Sequence, residues 1–274
     1  MKIEQGQSAL LTGGGSGIGR ALAVALAGRG VRLSILDLDI VQGEKTVRLV
    51  EEEHAKISYK PSNSPSAIAI RCDVANSDEL AAAYARHQDV FGRLHICINN
   101  AGVFSTKVFY EDKSWRKMID VNLTAVIEST SIAIQAMKEH GGLILNIASS
   151  AAFMPIELFP VYCSSKAGVA MFTRSLAHLG MGIRVNAICP EFVNTPLLVS
   201  LPPSLKDYLK ENLGYVEMEK VITAAISALD DESMTGECLW VQTHRPTQIW
   251  PDEETKGKQK VFKKDGTPFS TLSN

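Results

Sequence analysis

Residues 8–19 read SALLTGGGSGIG, an apolar run that stops at a cluster of glycines. The apolar run is typical of a short buried strand, and a helical pattern of apolar residues follows over 17–28. Between them, Gly13 permits a tight turn, Gly17 lets the backbone approach a pyrophosphate, and Gly19 allows close packing of helix on strand. Free N–H groups at a helix start also favour an anion. The stretch therefore predicts a dinucleotide-binding strand–turn–helix.

The next strand ends at an acidic residue, Asp37. A carboxylate there is expected to accept hydrogen bonds from the hydroxyls of the adenine-side ribose and to repel a 2′-phosphate. No Arg or Lys lies between Gly13 and Gly19 to neutralise such a phosphate. These features favour NAD over NADP. The residues predicted to form the cofactor loop are Gly13, Ser16, Gly17, Ile18 and Gly19.

Apolar runs alternate with helical patterns along most of the chain. Strands are predicted at 8–12, 31–36, 67–70, 94–98, 143–148, 183–189 and 237–241, and helices between them, among them long ones at 114–137 and 161–179. Such alternation predicts parallel βαβ units and one sheet covered on both faces. We expect a Rossmann-type, doubly wound α/β fold with a seven-stranded parallel sheet. It forms a single catalytic domain over 1–242, with a substrate lid at about 195–215, before a polar C-terminal extension over 243–274.

Composition narrows the functional classes. The chain has 274 residues and a formal net charge of −2, so no basic field favours nucleic acid. It lacks an apolar run of the ~18 residues that a membrane span needs, and its polar start does not resemble a signal peptide. The five cysteines are scattered without CxxC spacing, which argues against a disulfide framework and a metal site. Four histidines (His54, His87, His140 and His178) are predicted at the surface. A cytoplasmic protein without a bound metal is expected.

Tyr162 and Lys166 lie four residues apart on one predicted helix, so both occupy one face. A free phenol has a pKa of ~10 and is a poor base at neutral pH. A nearby ammonium group favours the phenolate and lowers that pKa. The pair therefore indicates proton transfer by Tyr162, although alone it is a weak signal.

These residues resemble the short-chain dehydrogenase/reductase family, in its hydroxyprostaglandin dehydrogenase-like branch. The ordered motifs that carry the resemblance are TGGGSGIG (12–19), DV (73–74), NNAG (99–102), Asn122, Ser149 and YCSSK (162–166). The branch is indicated by Met154-Pro155, by Pro160-Val161-Tyr162-Cys163 and by NAICP (186–190) followed by FVNT (192–195).

The resemblance implies a role for each matching position. Tyr162 is the acid/base, Lys166 tunes it and binds the nicotinamide ribose, and Ser149 orients the substrate oxygen. Ser149 is preferred to its neighbour Ser150 because the family's serine lies thirteen residues before its tyrosine. Asn122 holds a water that relays protons from Lys166. The remaining implied cofactor contacts are Asp73 and Val74 at the adenine, Asn100 at the ribose, and Val193 and Thr195 at the carboxamide; Asn99 holds the central strand.

Two segments depart from the family pattern. Glu191 stands where the family has glycine, which would be costly if φ were positive there. The closing segment TGECLWV (235–241) lacks the family's usual Asp-Gly-Gly after it.

The expected substrate is an apolar secondary alcohol or ketone, lipid-like or terpenoid-like, because the candidate pocket residues are mostly apolar. These are Phe104, Phe153, Met154, Phe159, Phe192, Leu197 and Leu198. Phe159 stands where the prostaglandin enzyme carries a polar amide, so prostaglandin itself is not expected. The alternatives are an NADPH-dependent ketone reductase, a same-fold enzyme with non-redox chemistry such as a cyclase or isomerase, and a cofactor-sensing binding protein. The resemblance also implies a homodimer or homotetramer, without contact to nucleic acid or a membrane span.

Overall fold

The computed structural model describes residues 1–61 and 64–258, so the rest of the C-terminal extension, 259–274, lies outside the described residues. Its strands are β1 (Ser8–Thr12), β2 (Arg32–Asp37), β3 (Ala67–Arg71), β4 (Ile96–Asn99), β5 (Gly142–Ile147), β6 (Ile183–Pro190), β7 (Cys238–Val241) and β8 (Gln248–Trp250). Its helices are α1 (Gly17–Ala27), α2 (Ile40–Lys56), α3 (Ser77–Phe91), α4 (Trp115–Ile119), α5 (Ala125–Met137), α6 (Pro160–Ser175), α7 (Pro203–Tyr208), α8 (Met218–Asp230) and α9 (Glu253–Lys258).

The strands form one sheet in the order β3-β2-β1-β4-β5-β6-β7-β8. β1 to β7 are parallel, and the reversal of strand order lies between β1 and β4. Apolar clusters cover both faces of the sheet, one against α1 and α8 and another against α3 and α5. Because both faces are buried, the strands β1 and β5 are buried at every position. The predicted Rossmann-type fold is confirmed, and its ligand crevice lies at the carboxyl ends of the strands.

The predicted strand count of seven is wrong by one. Gln248–Trp250 forms an eighth strand that pairs antiparallel with β7, Cys238 facing Trp250 and Trp240 facing Gln248. This strand is only three residues long and partly exposed, and prolines flank it, so it has no run of buried apolar residues to reveal it.

A second difference lies within the predicted long helix at 114–137. α4 and α5 are joined by one turn of π-helix, Asp120–Thr124. A π-turn inserts an extra residue into a helix and is frequent at functional sites. Here it contains Asn122, whose side chain is fully buried.

Two histidines predicted at the surface are buried instead. His54 and His87 are each 1% exposed, and the His87 ring hydrogen-bonds the hydroxyls of Ser8 and Ser34. These partners come from β1 and β2, far away in sequence, so local periodicity gave no signal for them.

Candidate active site

The glycine-rich turn after β1 forms one wall of a cavity of about 350 Å³. Gly13 has φ +63°, and a Cβ on it would lie 2.8 Å from the Cα of Ala101. A Cβ on Gly19 would collide with the Gly13 carbonyl oxygen, so Gly19 packs beneath the turn and does not line the cavity. Ser16 caps α1 without a side-chain hydrogen bond, and the first turn of α1 carries no acidic residue. Its backbone N–H groups are thus available to a pyrophosphate, and the turn fits a dinucleotide.

Asp37 lies beside this turn at the end of β2. Its carboxylate accepts hydrogen bonds from the Gly15 N–H at 2.8 Å and the Asp39 N–H at 3.0 Å. Two donors hold the carboxylate in one orientation, and Asp37 lines the cavity. A fixed negative charge at this position disfavours a second anion there.

Asp73 and Val74 line the same end of the cavity, next to the loop after β3. The Asp73 carboxylate accepts from the Ala75 N–H at 3.1 Å and lies 3.8 Å from the ammonium group of Lys117. Lys117 also lines the cavity and was missed by the sequence reasoning. No motif in the sequence marks it.

Asn100 couples the glycine turn to the loop after β4. Its Nδ2 donates to the carbonyl oxygens of Thr12 at 3.0 Å and Gly13 at 2.8 Å. The Thr12 hydroxyl in turn accepts from the Asn100 N–H. Asn99 points instead into the sheet core, where it donates to Asn146 at 2.8 Å and Thr130 at 3.0 Å.

Tyr162, Ser149 and Lys166 all line the cavity. Ser149 follows β5 and caps the 3₁₀ turn Ser150–Ala152, and its side chain lowers the pKa of Tyr162. Lys166 is 4% exposed, and its ammonium group donates to the Ile147 carbonyl at 2.8 Å. That ammonium lies 5.9 Å from the centre of the Tyr162 ring. Ser150 is also buried and lines the cavity, but the serine that acts on the pKa of Tyr162 is Ser149.

The expected lowering of the Tyr162 pKa by Lys166 is not found. Burial raises the pKa of Tyr162 to about 12, although the Ser149 side chain lowers it in part. Burial also lowers the pKa of Lys166 to about 8. The ammonium group faces the Ile147 carbonyl, so desolvation of the phenol outweighs its attraction.

Asn122 does not line the cavity, but its side chain is hydrogen-bonded to a residue of the cavity wall, Val103. Its side-chain oxygen accepts from the Val103 N–H at 2.8 Å, and its Nδ2 donates to the Val103 carbonyl at 2.9 Å and the Ser165 hydroxyl at 3.3 Å. Ser165 donates in turn to the Tyr162 carbonyl. The side chain of Asn122 therefore joins the loop after β4 to α6, which carries Tyr162 and Lys166.

Val193 and Thr195 line the cavity in the loop after β6. Thr195 packs against the glycine turn, since a Cβ on Gly17 would lie 3.2 Å from the Thr195 Cβ. Glu191 adopts an ordinary backbone conformation, because Ser58 and Met181 are the non-glycine residues with positive φ in the described chain. Its carboxylate is bonded to Thr243.

The remaining wall of the cavity is apolar. Five of the seven candidate pocket residues line it: Phe104, Phe159, Phe192, Leu197 and Leu198. Phe153 and Met154 do not; Phe153 stacks on Trp250 and Met154 is exposed. Ile156 and Leu201, which the sequence reasoning missed, complete the wall. Leu198 and Leu201 belong to the predicted lid, which folds as the 3₁₀ turn Pro196–Ser200, α7 and the π-turn Leu209–Leu213.

Among residues 1–61 and 64–258, no group of three or more His, Cys, Asp and Glu side chains has the geometry to hold a metal ion. Over the same part of the chain, every helix is too short or too polar to cross a membrane.

Comparisons with known proteins agree with this geometry. The family model for short chain dehydrogenases matches residues 7–205. The human 15-hydroxyprostaglandin dehydrogenase [NAD(+)] is 33% identical over 88% of this chain and 92% of its own length. A cyclohexanol dehydrogenase from Acinetobacter sp. is 32% identical over 83% and 90%. The crystal structure of levodione reductase superposes with a TM-score of 0.78 at 26% identity, over 88% of this chain and 97% of that one.

The glycine turn, the Ser149–Tyr162 pair and Lys166 thus occur in a chain whose relatives include dehydrogenases. The protein belongs to the short-chain dehydrogenase/reductase family, in its hydroxyprostaglandin dehydrogenase-like branch.

Proposed function

We propose that the protein is an NAD-dependent dehydrogenase that interconverts an apolar secondary alcohol and its ketone. The observation that carries this proposal is that Tyr162, Ser149 and Lys166 line the same cavity as the glycine-rich turn and the apolar side chains around Phe159. Hydride transfer is the chemistry that a bound nicotinamide supplies.

The chain's own residues supply the proton chemistry. Tyr162 accepts the hydroxyl proton during oxidation and returns it during reduction, and Ser149 orients the substrate oxygen. Positioned acid–base groups of this kind contribute about 10²–10⁴-fold in rate. The pKa of Lys166, lowered to about 8, lets it exchange protons near neutral pH. Asn122 supports a proton path from Lys166, because its side chain joins the loop after β4 to the helix that carries Lys166.

The cofactor contacts follow from the cavity wall. We propose that Ser16, Gly17 and Ile18 bind the pyrophosphate and that Asp37 binds the adenine-side ribose, which favours NAD. Asp73 and Val74 flank the adenine, and Asn100 lies against the ribose on the nicotinamide side. Val193 and Thr195 hold the carboxamide.

An apolar substrate is supported by the wall beside Tyr162. Phe159, Leu201 and Leu209 form a buried apolar cluster against which Tyr162 packs. The one acidic side chain on the neighbouring loop, Glu191, is bonded to Thr243. Such a wall suits a lipid-like or terpenoid-like alcohol.

The assembly and compartment are also proposals. We propose a homodimer or homotetramer that uses α5 and α6, where Ile127 and Met171 are exposed apolar side chains. All five cysteines are free, which supports a reducing cytoplasmic compartment.

The test measures absorbance and fluorescence of reduced nicotinamide with purified protein, NAD or NADP, and a set of secondary alcohols. The set contains cyclohexanol, a long-chain 2-alkanol and a 15-hydroxyprostaglandin. We expect turnover with NAD and an apolar alcohol, lost by about 10²-fold or more in Tyr162→Phe. Turnover with NADP alone would favour an NADPH-dependent reductase. NADH binding without any turnover would favour non-redox chemistry or a sensing role.

A further inference from the structure

The side chain of Glu191 holds the chain segment that follows β7. One carboxylate oxygen accepts hydrogen bonds from the Thr243 N–H at 2.8 Å and the Thr243 hydroxyl at 3.0 Å. The Glu191 N–H donates to the Val241 carbonyl at 3.0 Å, so backbone and side chain hold neighbouring positions. A glycine at position 191 has no side chain and could not make the carboxylate bonds.

The segment over residues 242–250, here called the strap, runs from the end of β7 through β8. The ammonium group of Lys220 on α8 donates to the carbonyls of Gln242 and Arg245. The His244 ring is hydrogen-bonded to the Leu213 carbonyl at 3.0 Å, at the end of the lid. One side of the strap therefore contacts both the cofactor loop at Glu191 and the lid.

The far end of the strap reaches the catalytic turn. Trp250 stacks on Phe153, with ring centres 4.0 Å apart and planes 22° apart. Phe153 directly follows the 3₁₀ turn Ser150–Ala152 that Ser149 caps, and Trp240 packs on the edge of the same ring. The position of Phe153 thus depends on two tryptophans, one of which belongs to the strap.

We propose that the strap is a positioning element of the active site, fastened by Glu191 and Thr243, and that it sets the positions of the 190–195 loop, the Ser149 turn and the lid together. This inference rests on the proposed function only for its kinetic effect. The three segments leave the ends of different elements, and the strap contacts each of them. Displacement of a reacting group by about 1 Å can cost 10²-fold in rate, so a common support for these three segments is expected to affect the rate.

In this proposal the positioning residues are Glu191, Thr243 and Trp250, and none of them is catalytic. The carboxylate of Glu191 is hydrogen-bonded to Thr243, so Glu191 affects the reaction through the position of the 190–195 loop. Glu191→Gln retains an acceptor oxygen, whereas Glu191→Ala removes it. Thr243→Val keeps the shape of the side chain and removes its hydroxyl donor.

The first experiment measures amide hydrogen exchange of the cofactor-free full-length protein by mass spectrometry. In Glu191→Ala and Trp250→Ala we expect exchange to rise about 10-fold in the strap, in 190–195 and in 150–154 together. Lys256→Met is the matched control, because Lys256 anchors α9 to Glu237 at 2.9 Å, away from the cavity. Its effect should stay within 253–258.

The second experiment titrates NADH by fluorescence and measures kcat and KM with the alcohol found active. We expect Glu191→Ala to weaken NADH binding and lower kcat, each by about 10-fold, and Glu191→Gln to recover most of both. Thr243→Val should show a smaller change of the same kind, and Lys256→Met should match the wild type. Thermal unfolding checks that each variant is folded.

The proposal is overturned if Glu191→Ala raises exchange in the strap alone, with 150–154 and NADH affinity within about twofold of the wild type. The hydrogen-exchange and NADH results do not depend on turnover. If the protein oxidises no alcohol, the proposed function is contradicted, whereas the hydrogen-exchange and NADH results still test the role of the strap.

Discussion

Replacement of Asn99 by alanine should destabilise the sheet beneath the active site. Asn99 is 2% exposed, and its side chain makes four hydrogen bonds: to Asn146 at 2.8 Å, to Thr130 at 3.0 Å, from Ser129 at 2.5 Å and from the Cys97 thiol at 3.6 Å. Each such bond contributes about 1 kcal/mol net, and each buried partner left unpaired costs about 1–3 kcal/mol. We expect the free energy of unfolding to fall by about 3–4 kcal/mol.

Urea unfolding followed by circular dichroism measures this loss, at an unchanged dependence on denaturant. Thr130→Val is the graded control, since it removes one of these bonds with little change of shape and should cost about 1 kcal/mol. A loss below about 1 kcal/mol in Asn99→Ala, or equal losses in the two variants, would refute the view that this polar network holds β4 against its neighbours.

Two further predictions concern cofactor choice and pH. Asp37→Ser should shift the ratio of kcat/KM for NAD over NADP by about 10-fold toward NADP, because it removes a charge worth about 1 kcal/mol or more. Asp39→Ser, which keeps a capping oxygen on α2, should leave the ratio unchanged; an equal shift in both would contradict the role of Asp37. Burial lowers the pKa of His87 to about 4, so the folded protein holds that ring neutral. The part of the free energy of unfolding that depends on this neutral ring is fully present above the unfolded pKa of ~6.5. It is lost as the pH falls from there toward 4, on the order of 2 kcal/mol by pH 5. Unfolding titrations at pH 7.5 and 5 should show the loss, and His87→Gln should reduce it without removing it, because burial also lowers the pKa of His95 to about 4.

The sequence predicted the seven parallel strands because burial on both faces leaves continuous apolar runs, as in β5. The catalytic and cofactor-binding residues predicted from the sequence also lie at one cavity, from the glycine turn through Tyr162 to Thr195. Those positions follow from the order of the strands, since the loops after parallel strands share one edge. Among the predicted catalytic and cofactor-binding residues, Gly19 and Asn122 are the exceptions, and among the predicted pocket residues, Phe153 and Met154.

Other features depend on contacts between distant segments. The π-turn around Asn122 changes the helix by one residue without altering its apolar pattern enough to be seen. Burial of His87 depends on hydroxyls from two strands, and the raised pKa of Tyr162 depends on where the Lys166 ammonium points. The partner of Glu191 lies 52 residues further along the chain, in a segment whose polar composition indicated an extension.

β8 has a consequence for how the protein behaves when it is shortened. A strand at the end of a sheet presents unpaired N–H and C=O groups, which can template pairing with another molecule. Gln248–Trp250 occupies those groups along Cys238–Val241 and is itself short and partly exposed. A chain that ended near residue 242 would keep its parallel core and expose the flank of β7. We therefore expect proteolytic trimming of this terminus to favour self-association through sheet edges, visible as light scattering before any loss of helical circular dichroism.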